Sequence, residues 1–283
     1  MPRGIAVTIG LNSVDPKHYQ GWSGELNACE NDAQDMAQIA RHAGFKTTCL
    51  LTASATRLTV LDEIKKAAKT LKSGDIFMIS YSGHGGQLPD MNDDEPDGQD
   101  ETWCLYDGEV VDDELYAAWG KFAKGVRILV YSDSCHSGTV TKEVLLRTAM
   151  PGPLALRPSP LLAATTPTIY RAMPNDVASR TYRAHREFYN AIQKATKGEK
   201  AKEPAASVLL ISGCQDNQLS SDGSFNGLFT GTLLRVWKDG AFTGSYKKFR
   251  QAIVQRMPPD QTPRYFVVGA PNPGFEAQKP FTI

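Results

Sequence analysis

Ile76-Phe77-Met78-Ile79-Ser80-Tyr81 runs directly into Ser82-Gly83-His84-Gly85-Gly86, and Ile128-Leu129-Val130-Tyr131 runs into Ser132-Asp133-Ser134-Cys135-His136-Ser137-Gly138. Each run is short, unbroken and rich in β-branched and aromatic residues, the pattern of a strand buried on both faces of a parallel sheet. Such sheets bind ligands beyond the carboxyl ends of their strands, so both polar loops are expected to open onto one crevice. Glycines beside His84 let backbone approach a substrate and turn N–H groups outward, because no Cβ stands in the way. A thiol with an imidazole is the minimum equipment for acyl transfer. The thiolate attacks a carbonyl, the imidazole moves the proton, and backbone N–H groups hold the oxyanion.

Outward from these runs, strands and helices alternate, which predicts an α/β fold with a mainly parallel sheet. Strands are expected at Ile5–Ile9, Lys46–Leu51, Ile76–Ser80, Val126–Tyr131, Ser207–Ser212 and Tyr265–Val268. Helices are expected over Asn31–Ala43, Thr56–Leu71, Leu228–Lys238 and Tyr246–Met257, from apolar residues three and four apart. Another is expected within Val110–Ala123, capped by Asp112 or Asp113. Asp90–Glu101, with seven acidic residues and no Lys or Arg, reads as a solvated loop. Residues 139–206 read as a basic linker or insert with one helix near Tyr182–Ala195. The insert carries 11 Lys/Arg against 5 Asp/Glu, leaving −6 for the rest of a chain whose formal charge is zero.

Zero net charge argues against nucleic acid or an anionic membrane as partner. No apolar stretch approaches the roughly 20 residues of a membrane span, and the N-terminus lacks the features of a secretory signal. Five scattered cysteines without a C-x-x-C pair suit reduced thiols, so a cytoplasmic location is expected.

The two loops resemble the histidine and cysteine motifs of metacaspases, the caspase-like peptidases, and their 51-residue separation fits caspase-type spacing. The likeness extends to Leu26-Asn27-Ala28-Cys29-Glu30-Asn31-Asp32-Ala33 upstream. Downstream it takes in Ile211-Ser212-Gly213-Cys214-Gln215-Asp216-Asn217-Gln218 and Gly227-Leu228-Phe229-Thr230. The resemblance implies a caspase-like three-layer α/β/α sandwich and a Cys–His dyad of Cys135 and His84. The N–H groups of Gly85 and Cys135 would form the oxyanion hole. It also implies cleavage after Arg or Lys, through a pocket of Cys29, Asp32, Ser82 and Asp133. Two carboxylates there would bind a guanidinium and repel an acidic residue, which supports that specificity on chemical grounds. The chain would divide into a large-subunit-like part (1–138), the linker (139–206) and a small-subunit-like part (207–283), together one domain.

Many metacaspases need calcium, and Asp100, Asp112 and Asp113 match their ligands. Lys142 stands where a further acidic ligand would, so calcium dependence is expected to be weak, and the chemistry itself needs no cofactor. Cys104 falls where an EF-hand opening at Asp93 would need its final Glu, which rejects that motif. Self-processing in the linker is expected, with Arg147, Arg171, Arg180, Arg183 and Arg186 as candidate sites; Arg157 precedes Pro158 and should cut poorly. Against the sharper readings, Cys29, Cys49, Cys104 and Cys214 read as small buried residues. His18, His42 and His185 read as packed or solvated. Asp32, in the first turn of a helix, is favoured there by the macrodipole alone. Asp216 and Gln218 suit a pocket or a turn equally. The alternative function is a catalytically silent caspase-like scaffold or interaction module. Substrates would be proteins or peptides with Arg or Lys at the cut; oligomeric state is not legible. A phosphatase signature fails at Thr141 and a dinucleotide fingerprint at Leu88.

Overall fold

Ile76–Ser82 (β3) is buried at every position and sits inside a six-stranded sheet. In this computed structural model, which describes residues 1–90, 99–134, 169–198, 202–213, 221–259 and 261–283, the sheet also contains Gly4–Gly10 (β1), Lys46–Leu51 (β2), Arg127–Asp133 (β7), Ser207–Ser212 (β8) and Arg264–Gly269 (β9). The order is β2-β1-β3-β7-β8-β9, parallel except for the antiparallel β8–β9 pair. The sheet therefore joins strands from both sides of the insert.

Alternate residues of β3 feed two cores. Phe77 and Ile79 face one with helix Arg57–Thr70 (α2) and helix Asp112–Trp119 (α3). Ile76 and Met78 face the other with Cys29–His42 (α1), Leu228–Trp237 (α6), Tyr246–Val254 (α7) and Pro273–Ala277 (α8). Helices on both faces explain why these strands read as unbroken apolar runs. The Thr56 side chain accepts the Thr59 N–H and starts α2, as Ser245 does for α7.

Three expectations need correction. Gly85–Pro89 (β4), Gln99–Leu105 (β5) and Gly108–Val111 (β6) form a separate antiparallel sheet, so residues 99–101 are strand rather than loop. Val110 and Val111 belong to β6, and α3 starts at Asp112 with Val111 at the cap position, where its N–H donates to Glu114. Among its described residues the insert carries two helices, Asn175–Ala184 (α4) and Arg186–Thr196 (α5), where the sequence suggested one. They break at His185 and bury Tyr189 against Leu88 and Val111 of the small sheet. His18 and His185 stack at 4.0 Å, which packs the insert against the N-terminal loop. Among the described residues no helix is long and apolar enough to cross a membrane.

Candidate active site

Register brings the two motifs level. In the parallel β3–β7 pair Tyr81 faces Ser132 and Ser82 faces Asp133. His84 and Cys135 each follow by two residues, so the sequence spacing of the motifs equals the register offset of their strands. Cys135 and His136 lie outside the described residues, as do Cys214, Asp216, Gln218, Lys142, Arg147 and Arg157.

His84 is buried beneath the Trp22 ring, 4.7 Å between centroids, and its Nε2 lies 3.0 Å from the Gly24 carbonyl oxygen. Among the described residues its Nδ1 has no hydrogen-bond partner. Burial pulls the imidazole pKa down to about 4, opposed by the peptide groups of Gly24 and Ala172, so the ring is neutral at pH 7. The His84 carbonyl accepts from the Tyr81 hydroxyl at 2.7 Å and from the Cys104 N–H at 3.0 Å, which fixes the loop on both sides.

Beside this loop Cys29, Asp32, Ser82 and Asp133 come together as a buried cluster, and it contains a side chain from the insert. The Arg171 guanidinium, 0% exposed, lies 2.7 Å from Asp32, 2.8 Å from Asp133 and 2.9 Å from Asp222. It also donates to Ser82 Oγ at 2.8 Å. Burial opposes its charge, but Asp133, Cys29, Asp32 and Asp222 together hold its pKa well above the usual value. Burial raises Asp32 to about 6, against the pull of Arg171 and with the help of Asp133. Burial likewise pushes the Cys29 thiol up to about 12, which makes it an inert wall. Asp32 also accepts the Gly227 N–H and the Asn226 amide, and Asp133 accepts the Thr230 N–H and hydroxyl. The first turn of α1 thus places Asp32, but a guanidinium, the Ser82 hydroxyl, the Gly227 N–H and the Asn226 amide engage it.

The backbone bends at Arg171, between single β-bridges at Tyr170 and Ala172. The Arg171 carbonyl oxygen accepts the Gly85 N–H at 3.0 Å, and the Met173 N–H donates to the Gly85 carbonyl at 2.8 Å. On the other side Tyr170 pairs with Ser221, and the Asp222 N–H donates to the Ile169 carbonyl at 2.8 Å.

Asp222, Asn226 and Gly227 as pocket residues escape a reading by periodicity, since they sit on an irregular stretch before α6. Gly227 has a mechanical reason: a Cβ there would collide with the Arg171 guanidinium, although its φ of −60° suits any residue. Asp100, Asp112 and Asp113 also converge, with one carboxylate oxygen from each within 4.8 Å of the others. The Gln193 amide donates to Asp100 at 2.6 Å and the Thr196 hydroxyl to Asp113 at 3.3 Å.

The caspase-domain family profile matches residues 3–281. The chain belongs to the caspase family. Relatives include a metacaspase-1 of Schizosaccharomyces pombe, 32% identical over 83% of this chain and 59% of its own length. A metacaspase-1 of Coccidioides immitis is 30% identical over 88% of this chain and 56% of its own. The chain is a metacaspase-like member of the family and spans a little over half the length of these relatives. A crystal structure of protein GSU0716 from Geobacter sulfurreducens has a TM-score of 0.87 at 60% identity, covering 99% of each chain. Caspase-1 from Spodoptera frugiperda shares the caspase fold, with a TM-score of 0.57 at 12% identity over 95% of this chain and 86% of its own.

Proposed function

We propose that this caspase-family chain is a cysteine endopeptidase that cuts after arginine or lysine. Cys135 is the nucleophile, His84 the base, and the N–H groups of Gly85 and Cys135 the oxyanion donors. One observation carries the reading: the chain's own Arg171 lies in the carboxylate pocket with its carbonyl oxygen on the Gly85 N–H. That is the posture of a residue about to be cut. The matched register of β3 and β7 supports placing the thiol beside His84, and burial keeps the imidazole neutral to accept a proton.

The bond it presents is Arg171–Ala172, and this is the self-processing site. The thiolate adds to the Arg171 carbonyl carbon and the C–N bond breaks. Ala172 leaves as an amine with the proton that His84 carried, and water then hydrolyses the thioester to the Arg171 carboxylate. Of the other candidates in the described residues, Arg180 and Arg183 are within α4 and Arg186 opens α5. A helix cannot form the single β-bridges that hold the main chain on either side of Arg171. Cutting at Arg171 would divide the large-subunit-like part and half of the linker from the rest.

Fluorogenic peptides that differ only at the scissile residue test the specificity: Arg and Lys peptides turn over and the Asp peptide does not. Cleavage after Asp would overturn it. The filled pocket also favours a second reading, a silent scaffold permanently plugged by Arg171. A basic chloromethyl ketone separates the two, since an alkylated Cys135 speaks for the peptidase and an unmodified chain for the scaffold.

The acyl transfer calls on no metal. Asp100, Asp112 and Asp113 would suit a hard cation such as calcium, which would tie β5 to the start of α3, so chelator is expected to leave the peptidase rate essentially unchanged. Loss of rate with chelator and its return with calcium would contradict this. Free Cys29, Cys49 and Cys104 support a reducing, cytoplasmic setting. Substrates are proteins or peptides that offer a basic residue at the cut.

A further inference from the structure

The arginine pocket holds a third carboxylate that the motifs did not supply. Each Nη of Arg171 carries two hydrogens, and each has two acceptors within 3 Å, with the Asp133 carbonyl oxygen farther from Nη1 at 3.4 Å. Nη1 has Asp133 and Ser82, both at 2.8 Å, while Nη2 has Asp32 at 2.7 Å and Asp222 at 2.9 Å. The Asp222 side chain is only 1% exposed, so it has little access to water. Its other oxygen accepts the Asn27 N–H at 2.8 Å, which aims the first at the guanidinium.

Asp222 also touches main chain. Its N–H donates to the Ile169 carbonyl, next to the antiparallel Tyr170–Ser221 pairing. One residue therefore grips the arginine side chain and the peptide group two residues upstream of it.

We infer that Asp222 is a specificity-determining residue that selects arginine over lysine at the cut and fixes the register of the bound strand. The inference rests on the peptidase reading above. A guanidinium is a planar fork whose two outer nitrogens reach opposite walls of the pocket; an ammonium is a single point. Lysine placed toward Asp133 and Ser82 leaves Asp222 buried without its donor. A site that leaves a buried polar group unpaired rejects the substrate responsible.

The test measures kcat/KM for two peptides identical except for Arg or Lys at the scissile position, on the full chain and on Asp222→Asn. The wild type is expected to prefer Arg by at least about 10-fold, and Asp222→Asn to lose roughly 10- to 100-fold on Arg, mostly in KM, with little change on Lys. The Arg-to-Lys ratio then collapses. An equal fall on both peptides marks a merely structural role and overturns the inference, as does an unchanged ratio or a wild type that prefers Lys. Turnover of neither peptide by the wild type overturns the peptidase reading itself. Thermal unfolding checks that the variant folds. Should it not, Asp222→Glu is read in the same way, because its longer arm keeps the charge but moves the oxygen off Nη2.

Discussion

Two groups of carboxylates face the insert, and the insert meets them in different chemical terms. Asp32, Asp133 and Asp222 close on a full positive charge, the Arg171 guanidinium. Asp100 and Asp113 take neutral donors from α5, the Gln193 amide and the Thr196 hydroxyl. The first contact joins ionised groups out of water, where removal of one partner strands the others. The second is an ordinary hydrogen-bond cap. The cleft thus closes around a cationic side chain, whereas the small sheet is capped by neutral donors.

Removing each contact should separate them sharply. On a Cys135→Ala background, which blocks cutting, Arg171→Ala is expected to cost about 3–5 kcal/mol of stability by urea unfolding, because buried charges lose their partner. Gly227→Ala comes next. Its methyl would fill the space of Nη2, and overpacking of about 2–3 kcal/mol is roughly 30- to 150-fold in kcat/KM for arginine peptides. An unchanged rate would show that substrates bind elsewhere.

The pH dependence sharpens the same contrast. Asp32 is raised in the fold to about 6, from 3.8. Its contribution to stability is full below 3.8 and is lost as pH rises through about 6. His84 is depressed from 6.5 to about 4, so its contribution is present above 6.5 and is lost as pH falls through about 4. Arginine binding needs Asp32 ionised, so kcat/KM should fall as pH drops through about 6 or somewhat above, since an emptied pocket lacks the pull of the guanidinium. A limb near 4 would assign the dependence to His84 instead. Smallest of all, Gln193→Ala should cost about 1 kcal/mol, the worth of a lost cap bond. A loss equal to that of Arg171→Ala would erase the contrast.

The large sheet was legible because β3 and β7 are apolar on both faces, a pattern that needs no tertiary information. The small sheet was not. Gly85-Gly86 and the acidic start of β5 have no alternation to read, and β4–β6 divide their apolar residues between the main core and α5, a split that only the fold reveals. The same cause hid the division into α4 and α5, whose apolar faces are short and interrupted at His185. In the pocket, Asp32 and Asp133 came from motif resemblance. Asp222 and Gly227 act through where an irregular stretch happens to pass, which spacing alone does not encode. Arg171 stood among several equal candidates until its burial set it apart.

The central claim is that the arginine held in the pocket is the chain's own first substrate. Incubating the wild type, Cys135→Ala and Arg171→Gln side by side, with N-terminal sequencing of the products, tests it most directly. A new terminus at Ala172 in the wild type alone is the predicted result. The same terminus in the thiol-less chain, or cleavage that continues unchanged without Arg171, would contradict it.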